Sequence, residues 1–427
     1  MQDKLLEHIR LLSDSHMEPR SALQVFAQCF DAIYGRCSFM SLALNAEQGQ
    51  RVRLVFHSDY QQAEQIESYL EQNKHINITQ LNEIVATQMP QLVNRISAEL
   101  ASLLNDFHLP TRSMMAIPLF LDGVIQRWVL VLGELPNQFS DVNLNQAMLL
   151  ANLANTYMAR IEETLALAQA NDWIEKELAD IGRIHQLLLP QTHCELKGTQ
   201  MATYFSSCDR AGGDYYDIVC LTELFDPGAP EDRPDIWGAI LADASGHGAA
   251  AAVEIAMFDA ILRTYKGTVE AGPANVFNYT NKYFFTRMGR GSFITAVILN
   301  YDPVTKILNY ANAGHPPIIL VSPDGQLREL VEHCDIPLGI QQDWVWQNAS
   351  LQVEHGAVLI AYTDGITEAL SPSKKQFGYK RLEEIVRRTQ GGSAQDYKQA
   401  IISELHAHQA DHPQNDDQAL LVVKLLD

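Results

Sequence analysis

Residues 237–248 read WGAILADASGHG and contain the pattern that decides the fold of this chain. The run from 237 to 242 is short and apolar and ends in small and polar residues, which is typical of a buried strand that leads into a turn. Asp243 stands at the end of this run. An isolated aspartate in such a place is usually a turn former, so its meaning depends on what the rest of the chain places beside it.

Three more aspartates stand at the ends of apolar runs in the same half of the chain. Asp214 lies in GGDYYDI, Asp364 ends the run AVLIAYTD, and Asp416 precedes DQALLVVKLL. Sandwich strands that run together would bring these ends to one rim. Clustered carboxylates repel each other unless a cation neutralises them, and all-oxygen ligands suit Mg²⁺ or Mn²⁺. Two such ions form a hydrolytic centre for phosphate esters.

The segment GGDYYDI also resembles the GGDEF hairpin of diguanylate cyclases. That block has an acid directly after its aspartate, whereas Tyr215 stands here. The upstream nucleotide and metal motif of a cyclase is also not recognisable. The sequence therefore favours the metal-site interpretation of Asp214.

Composition sets the class of protein. The chain has 427 residues, of which 47% are hydrophobic, enough for two or three domains. Its formal net charge of −21 predicts no binding of nucleic acid. Without an apolar run of 18 residues or an apolar signal core, we expect no membrane span and a cytoplasmic location. Six scattered cysteines without a CxxC pair argue against structural zinc.

Residues 1–150 mix helical and strand patterns. The segments 5–12 and 21–34 have helical spacing, and CSFMSLAL and RVRLVFHS are typical of strands. Asp122-Gly123 between two apolar runs predicts a hairpin, and Ser140 is a candidate helix cap. An apolar hairpin followed by a long exit helix resembles the end of a GAF sensory domain. We therefore expect a GAF-like α/β sensor with an unknown small-molecule or protein signal.

Residues 151–190 predict a helical connector that ends at Pro190. Gly182 is the single helix-disfavouring residue before that proline. Apolar residues recur at heptad-like spacing, with a break in phase near 169–173. The apolar positions are Leu150, Leu153, Tyr157, Ile161, Leu165, Ile174, Leu178, Ile181 and Leu188. Either the helix packs on its own domain, or it forms a dimeric coiled coil; we expect a homodimer.

Residues 191–427 predict an α+β fold: a β-sandwich flanked by helices. Short apolar runs that end in turn residues alternate with helical stretches such as AAAAVEIAMFDAILRTY. The acidic, proline-containing stretch at 222–235 predicts a solvated loop between two strands.

Six blocks in order then closely resemble the metal-dependent PPM-type serine/threonine phosphatases, in particular their bacterial SpoIIE/RsbU branch. The blocks are GGDYYDI, ADASGHGAAAAVEIAM, SFITAVILNYDPVTKILNYANAGHPPIIL, PLGI, AYTDGITEAL and NDDQALLVVKL. The resemblance implies a site with two Mn²⁺ or Mg²⁺ ions. Its catalytic ligands would be the carboxylates of Asp214, Asp243, Asp364 and Asp416 and the backbone carbonyl of Ala244, with Asp243 as the bridge.

Four further residues are secondary candidates. Arg210, four residues before Asp214, is a candidate phosphate ligand, because eukaryotic members use an arginine close to the first ligand. Asp217 and Asp417 are candidates for partners of the metal ligands. His247 lies four residues after the bridging aspartate, whereas the eukaryotic histidine lies two after, so a structural role is favoured over that of a general acid.

The resemblance implies a metal-dependent phosphatase that hydrolyses phosphoserine or phosphothreonine on a regulatory protein. Its substrate would be a phosphorylated STAS-type anti-sigma-factor antagonist in a partner-switching pathway, and the N-terminal sensor would control it. The alternative is a non-catalytic sensor or scaffold that binds a signalling partner through a phosphatase-like domain.

Overall fold

The N-terminal part of the chain is built around an antiparallel sheet. The computed structural model describes residues 30, 33–35, 37–45, 51–57, 79–106, 109–190, 196–225, 228, 235–287 and 291–426. The first strands and helices are β1 (Cys37–Asn45), β2 (Arg51–His57), α1 (Thr79–Thr87), β3 (Gln91–Val93), α2 (Ala98–Asp106), β4 (Ser113–Leu121) and β5 (Val124–Gly133). The strands are ordered β2-β1-β5-β4-β3.

Strand β4 of this sheet is buried on both faces. Met114 on β4 belongs to a core with Leu81 of α1 and Leu100 of α2. Its neighbour Met115 belongs to a second core on the opposite face, because successive side chains of a strand point to opposite sides. The predicted strands β1 and β2 are confirmed. The helical stretch at 5–12 and most of that at 21–34 lie outside the described residues.

The predicted hairpin joins β4 and β5. Leu121 pairs with Val124 across a two-residue loop, and the loop residues Asp122 and Gly123 have φ values of 51° and 77°. Both residues are in the left-handed region, as the favoured two-residue hairpin turn requires.

A single helix, α3, extends over 48 residues from Asp141 to Leu188. Its predicted cap is confirmed, because Asn143 donates its backbone N–H to Ser140 Oγ at 3.3 Å and accepts the Ser140 N–H at 2.9 Å. The helix ends before Pro190 and is continuous through 169–173. The chain divides into two compact units, Met1–Asp172 and Trp173–Asp427, and the boundary falls within α3. The last turns of the predicted connector therefore belong to the C-terminal unit.

The described residues of the C-terminal unit form eleven strands. They are β6 (Thr199–Ser206), β7 (Asp214–Cys220), β8 (Trp237–Ala244), β9 (Ile294–Asp302), β10 (Ile307–Ala313), β11 (Ile318–Val321), β12 (Leu327–Leu330), β13 (Cys334–Asp335), β14 (Ala349–Gln352), β15 (Val358–Tyr362) and β16 (Gln418–Leu425). The helices are α4 (Leu221–Phe225), α5 (Ala249–Leu262), α6 (Pro273–Phe284), α7 (Asp364–Thr367), α8 (Tyr379–Arg388) and α9 (Ala394–Gln409).

Two sheets pack face to face. One is ordered β13-β10-β9-β8-β7, with β14 also on β10, and the other β12-β11-β15-β16-β6. Their inner faces share one core, in which Trp237 and Tyr301 of the first sheet pack with Leu359 and Val423 of the second. The predicted sandwich flanked by helices is confirmed.

Helices cover both outer faces of the sandwich. Phe258 of α5 and Phe277 of α6 are fully buried in a core with the first sheet. Leu382 of α8 and Ile401 of α9 do the same on the second sheet. The C-terminal unit thus has four layers, helix–sheet–sheet–helix. Within the described ranges, none of the helices combines the length and apolar character that a membrane crossing requires.

Candidate metal centre

Strand register brings the first two aspartates together. In the antiparallel pair β7–β8, Asp214 is directly opposite Asp243. Residues that face each other in such a pair have Cα atoms about 4.5–5.5 Å apart, so their carboxyl groups meet on the same face. The two carboxyl groups share a hydrogen bond.

The second sheet supplies the other two aspartates. Asp364 follows β15 and begins α7, and Asp416 stands two residues before β16, the neighbour of β15. The buried Thr363 links the sheets, because its Oγ1 donates to Asp214 Oδ2 at 2.8 Å and accepts the Ala419 N–H at 2.9 Å. A Cβ on Gly365 would lie 1.8 Å from the carbonyl oxygen of Asp417. The glycine of TDG is therefore needed for this close approach.

Without bound cations, the ionised forms of the four neighbouring carboxyl groups are electrostatically unfavourable. Burial, followed by the negative charges of Asp364, Asp416 and Asp417, raises the pKa of Asp243 to about 8. Burial and then the charge of Asp243 raise the pKa of Asp214. Burial also raises the pKa values of Asp364 and Asp416. An all-oxygen group of this kind fits hard divalent cations, which would balance the excess negative charge.

Asp417 holds the loop that leads into β7. It is buried, and its Oδ1 accepts hydrogen bonds from Ser207 Oγ at 2.9 Å and from the Cys208 N–H at 2.8 Å. Its Oδ2 accepts the Gly213 N–H at 2.5 Å. A Cβ on Gly213 would lie 2.9 Å from the Gly246 carbonyl oxygen, so glycine is required here too. Asp417 thereby positions the loop next to Asp214.

The predicted carbonyl ligand Ala244 and the secondary candidates Asp217 and Arg210 lie in three different places. Ala244 follows Asp243, and its N–H donates to the Gly213 carbonyl at 3.0 Å. Asp217 is not brought to the cluster: it lies on the other face of β7, where its Oδ2 is 3.5 Å from Arg263. Arg210 forms an ion pair with Glu175 of α3. Phosphate binding by Arg210 would require this pair to open, and it stays a prediction.

His247 lies at the edge of the site. Its Nδ1 is 2.6 Å from Asp209 Oδ2, and both side chains are half exposed. The hydrogen bond to Asp209 raises the pKa of His247. The preceding loop is fixed by Ser245, whose Oγ accepts the Phe293 N–H at 3.1 Å.

Sequence reasoning did not identify the contacts between α3 and this loop. The buried His185 contacts the backbone carbonyl of Asp214 through Nε2 at 3.0 Å. Three residues earlier, a Cβ on Gly182 would lie 1.8 Å from the carbonyl oxygen of Arg210. An unexplained glycine inside a helical pattern was the one signal of this close approach.

The C-terminal unit is a helix-flanked double sheet with four aspartates at one rim, and its fold is found in a solved structure. The C-terminal unit shares this fold with the SiaA-PP2C domain of Pseudomonas aeruginosa at a TM-score of 0.51 and 20% identity, covering 61% of this chain and 100% of that domain. Residues 233–426 match the family model described as Stage II sporulation protein E (SpoIIE). Over these residues the chain is thus similar to a SpoIIE-type phosphatase domain.

Two relatives show how far the similarity extends. Protein IcfG of Synechocystis sp. is 26% identical over 278 residues, which cover 58% of this chain and 42% of IcfG. Phosphoserine phosphatase RsbU of Bacillus subtilis is 24% identical over 271 residues, which cover 63% of this chain and 76% of RsbU. The aligned part thus spans less than half of IcfG.

Proposed function

We propose that this protein is a metal-dependent serine/threonine protein phosphatase. The observation that carries the proposal is the convergence of Asp214, Asp243, Asp364 and Asp416 on one rim of the sandwich. These residues would hold two Mn²⁺ or Mg²⁺ ions together with the Ala244 carbonyl, and the family resemblance implies that Asp243 would be the ligand common to both ions. When bound, such ions polarise phosphoryl oxygens and lower the pKa of water.

The chain's own groups prepare the site. Thr363 holds the Asp214 carboxyl group by a hydrogen bond and ties it to β16 through Ala419. Asp417 fixes the approach of the loop 207–213. Asp214 and the loop before it are thus already held by hydrogen bonds, so little reordering of this part is needed when a substrate binds.

We further propose that the substrate is a phosphoserine- or phosphothreonine-bearing regulatory protein of the STAS type. Its support is the similarity to the phosphoserine phosphatase RsbU of Bacillus subtilis and the resemblance to the SpoIIE/RsbU branch. The N-terminal unit would act as a GAF-like sensor in the cytoplasm. A homodimer would pair through α3, on which Leu153, Leu165 and Ile174 are 60%, 46% and 48% exposed.

The catalytic proposal is tested with the full-length protein, stripped of metal and reloaded with Mn²⁺ or Mg²⁺. We expect phosphate release from a phosphoserine peptide that depends on the added ion and falls to background in Asp243→Asn. Asp324→Asn, in the hairpin between β11 and β12, is the matched control. A wild-type protein that binds the phosphoprotein but releases no phosphate would instead support the scaffold alternative.

Regulation is tested separately on the connector. Leu178→Asp and Ile181→Asp each place a charge on the proposed helix seam. They should reduce dimer formation, measured by light scattering, and change the rate of phosphate release by the full-length protein. A monomeric wild-type protein whose hydrolysis neither substitution affects would refute the connector model while leaving the catalytic proposal intact.

A further inference from the structure

Two loops meet beside the carboxylate cluster and bring three different donor groups together. Cys208 and Asp209 lie on the loop before β7, and His247 lies on the loop between β8 and α5. The Cys208 Sγ, a carboxylate oxygen of Asp209 and a ring nitrogen of His247 all lie within 4.8 Å of one another. Thiolate, imidazole and carboxylate are the ligands that zinc prefers.

We propose that Cys208, Asp209 and His247 form a second cation site, which takes a thiophilic divalent cation such as Zn²⁺ and is distinct from the four-aspartate centre. Three protein ligands with one open position suit an exchangeable ion rather than a closed structural site. Hard ions such as Mg²⁺ prefer an all-oxygen group, so the sulfur and nitrogen donors separate the two sites chemically.

The hydrogen bonds around Cys208 favour this set of ligands over a neighbouring one. The Cys208 sulfur also lies within 4.8 Å of carboxylate oxygens of Asp416 and Asp417. Asp417, however, already accepts three hydrogen bonds, from Ser207, Cys208 and Gly213. Asp209 and His247 are half exposed and bonded to each other, so they can turn toward an ion at little cost.

The backbone already holds Cys208 in place for this role. Its N–H donates to Asp417 Oδ1 at 2.8 Å, which fixes the start of the side chain between the two groups. The structure has Nδ1 of His247 2.6 Å from Asp209 Oδ2, and an ion would replace the proton that they share. Binding also displaces the thiol proton, which passes to solvent.

A consequence for hydrolysis rests on the proposed function. A cation at Cys208 would add positive charge next to Asp416 and occupy the edge of the active site. We therefore expect Zn²⁺ to inhibit phosphate release even when Mn²⁺ or Mg²⁺ is saturating, and Cys208→Ser to weaken that inhibition.

The site itself is tested by binding alone. The full-length protein, saturated with Mg²⁺ to fill the all-oxygen centre, is titrated with Co²⁺ as a spectroscopic probe. We expect a thiolate-to-Co²⁺ charge-transfer band in the wild type and in the matched control Cys334→Ser, and none in Cys208→Ser. No band in the folded wild type, or a band that survives Cys208→Ser, would overturn the proposal.

The remaining ligands are tested by Zn²⁺ affinity under the same conditions. His247→Ala and Asp209→Asn should each weaken Zn²⁺ binding by at least about 100-fold, the upper end of the loss caused by removing a mere supporting partner. Circular dichroism confirms that each variant is folded. If both variants retain wild-type affinity while Asp416→Asn loses it, the ion binds among the carboxylates and the proposed site is wrong.

Discussion

Replacing Asp243 by asparagine should stabilise the metal-free protein while abolishing the proposed phosphatase activity. The folded protein keeps a proton on this carboxyl group to about pH 8, because burial and the neighbouring aspartates raise its pKa from the usual 3.8. The unfolded chain loses the same proton near pH 4. The folded state is therefore destabilised as pH rises from about 4 to 8, and the full penalty is present above pH 8.

The size of the effect follows from that shift. A rise from 3.8 to about 8, at 1.36 kcal/mol per pH unit, sets a ceiling of about 6 kcal/mol at pH 8 and about 1.6 kcal/mol at pH 5. The proton is shared with Asp214, and the new amide needs partners of its own, so we expect about 2–4 kcal/mol at pH 8. For a unit of this size, that is a rise in Tm of roughly 4–16 °C.

Calorimetry of the full-length protein in a chelator at pH 5 and pH 8 measures this difference. Asp417→Asn is the matched control, because replacing an oxygen that accepts hydrogen bonds should lower Tm at both pH values. Added Mn²⁺ should raise the Tm of the wild type more than that of Asp243→Asn. A metal-free Asp243→Asn that melts at or below the wild type at pH 8 would refute the electrostatic account of the site.

Asp364→Asn and Asp416→Asn should each lose turnover in saturating Mn²⁺, since each removes a proposed metal ligand; phosphate release near the wild-type rate would contradict the assignment. Gly182→Ala should lower Tm and weaken Mn²⁺ binding measured by calorimetry, because the alanine Cβ would lie 1.8 Å from the Arg210 carbonyl oxygen. This clash opposes the helix preference for alanine over glycine, which is about 1 kcal/mol. Shortening 226–234, of which the structure describes residue 228 alone, should change Tm by only a few degrees if the segment is a solvated loop; failure to fold would show that it is packed.

Sequence alone could predict the parts of the fold that repeat a local pattern. Continuous apolar runs identified β8, β9, β15 and β16, because a strand that is covered on both faces is apolar along most of its length. The placement of aspartates at their ends then located the carboxylate cluster, since sandwich strands end at common rims. The helix cap Ser140 and the helix-terminating Pro190 also predicted both ends of α3.

The parts that escaped prediction depend on tertiary contacts. Strand β6 reads TQMATYFS and lies at a sheet edge, so its half-polar pattern does not stand out. Asp217 was grouped with Asp214 by proximity in sequence, although three residues along a strand reverse the direction of the side chain. Asp417 accepts three hydrogen bonds from a loop more than 200 residues earlier in the chain. No local sequence pattern reveals such a contact.

The end of α3 directly contacts the loop and the strand that carry the first ligand of the candidate metal centre. Along one helical stretch, Glu175 pairs with the Arg210 side chain, Gly182 packs on the Arg210 carbonyl, and His185 bonds to the carbonyl of Asp214. These contacts hold the middle of the loop 207–213 and the first residue of β7, which is the first proposed ligand. Burial lowers the pKa of His185, which favours the neutral ring and leaves Nε2–H to donate to that carbonyl.

Since the carboxyl groups repel each other without cations, the loop must be held from outside, and any rotation or shift of α3 would act directly on Asp214. We therefore predict that a movement of α3 changes cation binding at the candidate centre through this point of contact.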